Sequence, residues 1–182
     1  MENLVTTSFA SPIGSLRLIA GDAGILWLRL PRTNNKNSLL EARSWSEQHL
    51  PGSVLRQDPQ AKFLCDAREE LLASLHGERT RFSVALDLRC TPFQRSVYEI
   101  LESIPYGSVL SYGQVAEKLG KPGASRAVGN ACGANPLALF IPCHRVVASA
   151  GGLGGFGGGL ALKRKLLALE RKTLGAPARY LG

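Results

Sequence analysis

The chain lacks a long apolar run. Nowhere do its 182 residues approach the roughly 18 consecutive apolar positions of a membrane helix, which excludes a span of that kind. Its first residues, Met1-Glu2-Asn3-Leu4, show no basic region leading into an apolar stretch, so no signal peptide is expected. The four cysteines, at 65, 90, 132 and 143, never pair as CxxC. Without an export signal they read as reduced thiols of a cytoplasmic protein rather than as a disulfide framework. Acidic residues are scarce in one half only. Residues 1–90 hold 11 Lys and Arg against 10 Asp and Glu, whereas residues 91–182 hold 11 against 4. The net charge of +8 therefore lies almost wholly in the second half, which favours a polyanionic partner, chiefly nucleic acid, over a merely soluble surface.

What is present is enough apolar material, 45% of residues, for one large domain or two small ones. Leu4–Phe9, Leu16–Ala20 and Ile25–Leu30 read as a β-meander with turns at 11–14 and 21–24. Residues 32–38 are polar and asparagine-rich, a loop. Leu39–Leu50 and Pro59–Leu75 read as helices, the second with apolar positions 63, 64, 67, 71, 72 and 75. Phe82–Leu88 is a strand or a connecting segment, and a boundary is placed near 85. Beyond it, Thr91-Pro92 marks a helix start whose stripe is Val97, Ile100, Leu101 and Ile104, stopped by Pro105-Tyr106-Gly107. Ser111 caps a short helix to Leu119. A turn at 120–123 leads to a helix over Ala124–Cys132, and the pair has a helix-turn-helix pattern. In the second helix Arg126 stands alone among Ala124, Ser125, Ala127, Gly129 and Ala131. Small residues suit tight helix packing equally well, but a lone arginine among them is easier to explain against DNA. Residues 151–159 are a glycine-rich loop. Gly152, Gly154 and Gly157 satisfy GxGxxG, but too little chain follows for a dinucleotide-binding unit. Leu160–Arg171 is a basic helix with apolar positions 162, 166, 167 and 169 and one acid, Glu170. The tail from Thr173 is expected to be loosely ordered.

The chemistry is expected at Phe140-Ile141-Pro142-Cys143-His144-Arg145-Val146-Val147. A polar triplet inside an apolar run must be paired or it costs free energy. Imidazole and guanidinium are groups that lower a cysteine pKa, so the triplet suggests a reactive thiol beside its acid–base equipment. The plain alternative is an inert buried cysteine.

Several motifs occur in order: Thr91-Pro92-Phe93-Gln94, Ile104-Pro105-Tyr106-Gly107, Ser111-Tyr112-Gly113, Ser125-Arg126-Ala127-Val128-Gly129, Gly133-Ala134-Asn135-Pro136, the Cys143 run, and the glycine loop followed by 162–170. Over about residues 91–170 the chain resembles the O6-alkylguanine-DNA alkyltransferase family. The resemblance implies an α+β fold: a ribonuclease-H-like N-terminal domain, 1–85, and a mainly helical C-terminal domain, 86–182, with the helix-turn-helix. It implies DNA repair by one-turnover transfer of an alkyl group from O6-alkylguanine to Cys143, with O4-alkylthymine left open and no cofactor. By resemblance His144 is the base, acting through a water, and Glu170 orients it. Asn135 ties the helix pair to the active-site loop. Tyr112 crowds the phosphate backbone and bonds the extruded base, and Arg126 fills the vacated stack. Ala124, Ser125, Ala127 and Gly129 then belong to the helix that enters the minor groove, unlike most helix-turn-helix proteins. Val146, Phe156, Gly157, Cys132, Tyr112 and Cys143 form the alkylguanine pocket. A monomer is expected, with clustering on DNA left open, and no membrane partner.

Two departures stand out. Some relatives place tyrosine and serine where this chain has Phe156 and Gly157, so any hydroxyl contact there is lost. Vertebrate relatives carry an N-terminal zinc site, but His49, Cys65, His76 and Cys90 lack tight ligand spacing and no metal is expected. The chemistry points the same way independently. O6 of guanine is buried in duplex DNA, so the nucleotide must be extruded before a thiolate reaches the alkyl carbon. The rival readings are a pure DNA-binding module or non-catalytic lesion sensor, and a cysteine hydrolase using Cys143 and His144.

Overall fold

The computed structural model describes residues 1–31 and 37–175. Positions 32–36 of the expected loop, and the expected loose tail beyond Gly175, lie outside the described residues. The chain divides into two compact units, Met1–Arg89 and Cys90–Gly182.

In the first unit, β1 (Asn3–Phe9), β2 (Leu16–Gly21) and β3 (Gly24–Arg29) form the expected antiparallel meander. Its first turn is closed by reciprocal backbone bonds between Ser11 and Gly14. Every residue of β2 is buried, as the central strand of a sheet covered on both faces requires. Helix α1 (Ser38–His49) adds Ala42 to a core of Leu4, Ile19 and Leu26, with Trp27 and Trp45 stacked at 5.7 Å beside it. The strand β4 (Val54–Gln57) was not foreseen. It is only four residues long and pairs parallel with the free edge of β1, so tertiary pairing rather than local alternation creates it. Helix α2 (Lys62–Leu75) starts three residues after the expected Pro59. The segment 82–88 is a connection, bridged to β3 between Leu86 and Ile25 and bonded to Glu70 of the preceding helix at Ser83 and Val84. It passes so close to Gly24 that a Cβ there would sit 2.4 Å from the carbonyl oxygen of Ala85.

The second unit opens with α3 (Pro92–Ser103). Thr91 and Gln94 exchange the two bonds of a capping box, and Val97, Tyr98 and Leu101 face inward. A second capping box, Ser111 with Gln114, fixes the start of α4 (Tyr112–Lys118) directly after β5 (Leu110–Ser111). The helix pair is completed by α5 (Ser125–Gly133). The Tyr98 hydroxyl donates to the carbonyl of Ala131 at 2.9 Å, locking α3 against α5. A tight turn, Cys143–Arg145, leads into β6 (Val146–Val147), which pairs parallel with β5. The glycine loop then delivers the chain to α6 (Leu160–Thr173), so Thr173 itself is helical rather than part of a loose tail. Among the described residues no helix is long and apolar enough to cross a membrane.

Candidate active site

Cys143 is the first residue of the turn that follows Pro142, and it is 5% exposed. The loop before it bends sharply: Leu139 has φ +78°, an unusual value for a side-chain-bearing residue. Asn135 holds that bend. Its Oδ1 accepts from the Leu137 amide at 3.0 Å and its Nδ2 donates to the carbonyl of Ile141 at 2.9 Å, two residues before the thiol. One side chain at the end of α5 thus sets the position of the sulfur.

His144 is buried, with Nε2 2.7 Å from Glu170 Oε1. The same carboxylate takes three bonds from Arg145 and one from the Gly107 amide at 2.8 Å. Burial alone would raise the Glu170 pKa, but His144 and Arg145 outweigh it and hold the carboxyl down at about 2. An ionised carboxylate fixes the neutral imidazole tautomer: Nε2 carries the proton and Nδ1 is the acceptor. Nδ1 is buried and has no partner among the described residues. Burial holds the His144 pKa below its usual value, despite the pull of Glu170, so the ring is neutral and able to take a proton.

One expectation is corrected in its cause. Arg145 does not face the thiol. Its guanidinium is committed to Glu170, to the carbonyl of Ile104 at 2.8 Å and to the face of Tyr106. Burial pushes the Cys143 thiol up, against the Asn135 side chain and the nearby charge of Lys163. The free site therefore holds a thiol that must lose its proton as part of the reaction.

Cys143 lines a cavity of about 670 Å³. Tyr112, Ser125, Arg126, Gly129, Cys132, Phe156 and Gly157 line it too, so the fold gathers most of the expected residues. Ala124 and Ala127 lie on or beside α5 but do not line it, and neither does Val146, whose carbonyl accepts a bond from Lys163. Arg126 is exposed, whereas Cys132 is buried enough to have its pKa raised to about 12. Phe156 meets the His144 ring edge-on at 6.3 Å. Tyr112 lies against Gly154, whose φ is +67° and where a Cβ would come 2.6 Å from the tyrosine ring. The Tyr112 hydroxyl points to the carbonyl of Gly155 at 3.4 Å.

Lys163 was missed. It sits in the apolar stripe of α6 with Leu162, Leu166, Leu167 and Glu170, and a lysine in that register was the available signal. Among the described residues no cluster of three or more His, Cys, Asp or Glu is arranged to hold a metal.

Residues 92–172 match the family model described as 6-O-methylguanine DNA methyltransferase, DNA binding domain. The chain is 44% identical over 162 residues to a methylated-DNA–protein-cysteine methyltransferase of Mycolicibacterium paratuberculosis, covering 89% of each chain. It is 37% identical to the protein of that name from Methanosarcina acetivorans, over 89% of this chain and 95% of the other. Among solved structures it resembles Mycobacterium tuberculosis OGT in complex with DNA, with TM-score 0.78, 41% identity and 96% of each chain covered. The O6-methylguanine-DNA methyltransferase of Pyrococcus kodakaraensis aligns with TM-score 0.71 at 28% identity, covering 92% of this chain and 98% of that one.

Proposed function

Because the chain belongs to the methylated-DNA–protein-cysteine methyltransferase family, we propose that it repairs DNA by moving an alkyl group from O6 of guanine in duplex DNA onto Cys143. The observation that carries this reading is a buried thiol lining a cavity roomy enough to admit an extruded nucleotide, followed directly by a histidine oriented by an ionised carboxylate. The lesion is reached by extrusion from the minor groove. Helix α5 enters the groove through its small residues, and Arg126, exposed at the cavity rim, fills the space the nucleotide leaves.

His144 Nδ1 then takes the thiol proton through a water, while Glu170 stabilises the charge that forms on the ring. The sulfur attacks the alkyl carbon, the C–O6 bond breaks, and its electron pair goes to the guanine. Tyr112, whose ring lies against the loop at Gly154, supplies the proton that makes guanine a better leaving group. The product is a thioether on Cys143. No second nucleophile is assigned to cleave it, so each molecule acts once. The protein works as a cytoplasmic monomer.

Incubation with a duplex containing O6-methylguanine, followed by peptide mass mapping, is the test. One methyl group on Cys143, no more than one per chain, and none in Cys143→Ser is the expected result. A methyl group on Cys132, or release of free methanol with repeated turnover, would replace this reading with another acceptor or with a hydrolase.

A further inference from the structure

The mechanism leaves one buried charge unused. Lys163 has no solvent exposure, and among the described residues no carboxylate lies within ion-pair distance of it. Burying an unpaired ammonium is expensive, and a methionine would fill similar space without that cost. Its Nζ donates to the carbonyl of Val146 at 2.5 Å and to that of Gly155 at 3.1 Å, and lies 5.9 Å from the centre of the Tyr112 ring. Those two carbonyls belong to the two arms of one loop, the strand just after the thiol and the glycine segment that walls the cavity.

We propose that Lys163 is a positioning residue for the transfer: it clasps the glycine loop to β6 and presents a positive charge to the acceptor sulfur. The proposal rests on the reading of Cys143 as acceptor. Among the described residues, the groups near enough for their charge to act on that sulfur are Tyr98 on α3, Tyr112 on α4 and Cys132 on α5, which are neutral or acquire negative charge, and Lys163 on α6, the cation among them. Arg145 is already committed to Glu170. The ammonium also disfavours a proton on His144, which keeps the resting ring neutral and leaves Glu170 to stabilise the imidazolium when it forms. One lysine thereby serves the geometry of the wall and the charge of the nucleophile.

The test uses the full chain and the variants Lys163→Met, Lys163→Arg and Lys163→Gln. Iodoacetamide labelling of Cys143 is followed across pH without DNA, by peptide mapping. Hydrogen exchange is followed at residues 154–157. In Lys163→Met, labelling at neutral pH should fall about tenfold, the change expected when a thiol pKa rises by about one unit. Its pH midpoint should move to the alkaline side, and loop exchange should quicken. Arginine should restore most of both. Glutamine keeps an N–H donor without the charge, so it should protect the loop yet leave the midpoint shifted, and it decides the matter if the methionine variant does not fold. An unshifted midpoint and unchanged loop exchange would overturn the proposal. If instead no methyl group reaches Cys143 in the unaltered chain, the acceptor reading fails, while the labelling comparison still decides whether Lys163 acts on that sulfur.

Discussion

Each unit of the chain buries charge, and the two do so to different ends. In Met1–Arg89 the buried charges tie the fold to itself. Arg29 on β3 grips Glu41 of α1 through bonds of 2.6 and 2.9 Å, and Glu70 on α2 receives the connecting segment at Ser83 and Val84. None of these groups lines a described cavity. In Cys90–Gly182 the buried charges converge. Glu170 gathers His144 and Arg145, and Lys163 of the same helix binds the carbonyls of Val146 and Gly155 beside the cavity. A buried charge is thus weak evidence of function by itself. The discriminating feature is an ionisable group with unused capacity beside a cavity, as at His144 Nδ1.

Glu170→Gln should break this comparison most sharply. The amide keeps the shape but cannot stabilise an imidazolium. Single-turnover transfer at neutral pH should fall about a hundredfold, within the usual range for general acid–base catalysis, and alkaline pH should recover part of it. The same change leaves Arg145 without its carboxylate, so the second unit should also lose stability, which a separate unfolding measurement would show. If the two pH–rate profiles coincide, Glu170 belongs with the structural charges of the first unit.

Arg126→Ala should have the next largest effect, and on one substrate only. Transfer from duplex O6-methylguanine should drop by roughly ten- to a hundredfold, as expected if the arginine offsets part of an unstacking cost of a few kcal/mol. Reaction with free O6-benzylguanine should be nearly unchanged, because no stack is opened. Equal losses on both substrates would sink the role.

Gly154→Ala tests the wall rather than the charges. A methyl group at φ +67° would press on the Tyr112 ring from 2.6 Å. Backbone strain of roughly 1–2 kcal/mol adds to that clash. Transfer should fall several-fold on both substrates, with duplex affinity little changed. An unaltered rate would show that Tyr112 is free to move aside.

The two units were also unequally legible. Capping residues and apolar stripes placed α3 through α6 to within a residue or two, because Thr91, Ser111 and the glycine turns carry their boundaries locally. The strand β4 was invisible, since its pairing with β1 depends on chain more than forty residues away. The site motifs marked Cys143, His144 and Asn135 directly. The orientation of Arg145 and the burial of Lys163 depend on how α6 packs, and no local pattern states that.

The smallest effect on transfer belongs to Glu70→Gln, and it completes the comparison. Glu70 is a buried carboxylate like Glu170. Burial alone would raise its pKa, but bonds from the Ser83 hydroxyl and the amides of Ser83 and Val84, with the Arg79 charge, bring it below the ordinary value. Its partners are all in the first unit, 9 to 14 residues along the chain, so it closes the link between α2 and the segment that follows. Glutamine should weaken those bonds and lower stability by roughly 1–3 kcal/mol. The rate of transfer at saturating DNA should stay within about twofold, because Glu70 neither lines the Cys143 cavity nor bonds any residue that does. The pH dependence follows from the sign of the shift. A carboxylate whose folded pKa is depressed stabilises the protein above its unfolded pKa and loses that contribution as pH falls through the folded value. Acidification below about pH 4.5 should therefore narrow the stability gap between the native chain and Glu70→Gln. Urea unfolding at pH 7 and pH 4, with transfer measured on the same samples, gives both readings. A large loss of transfer with stability intact would place Glu70 in the chemistry and remove the distinction between the units.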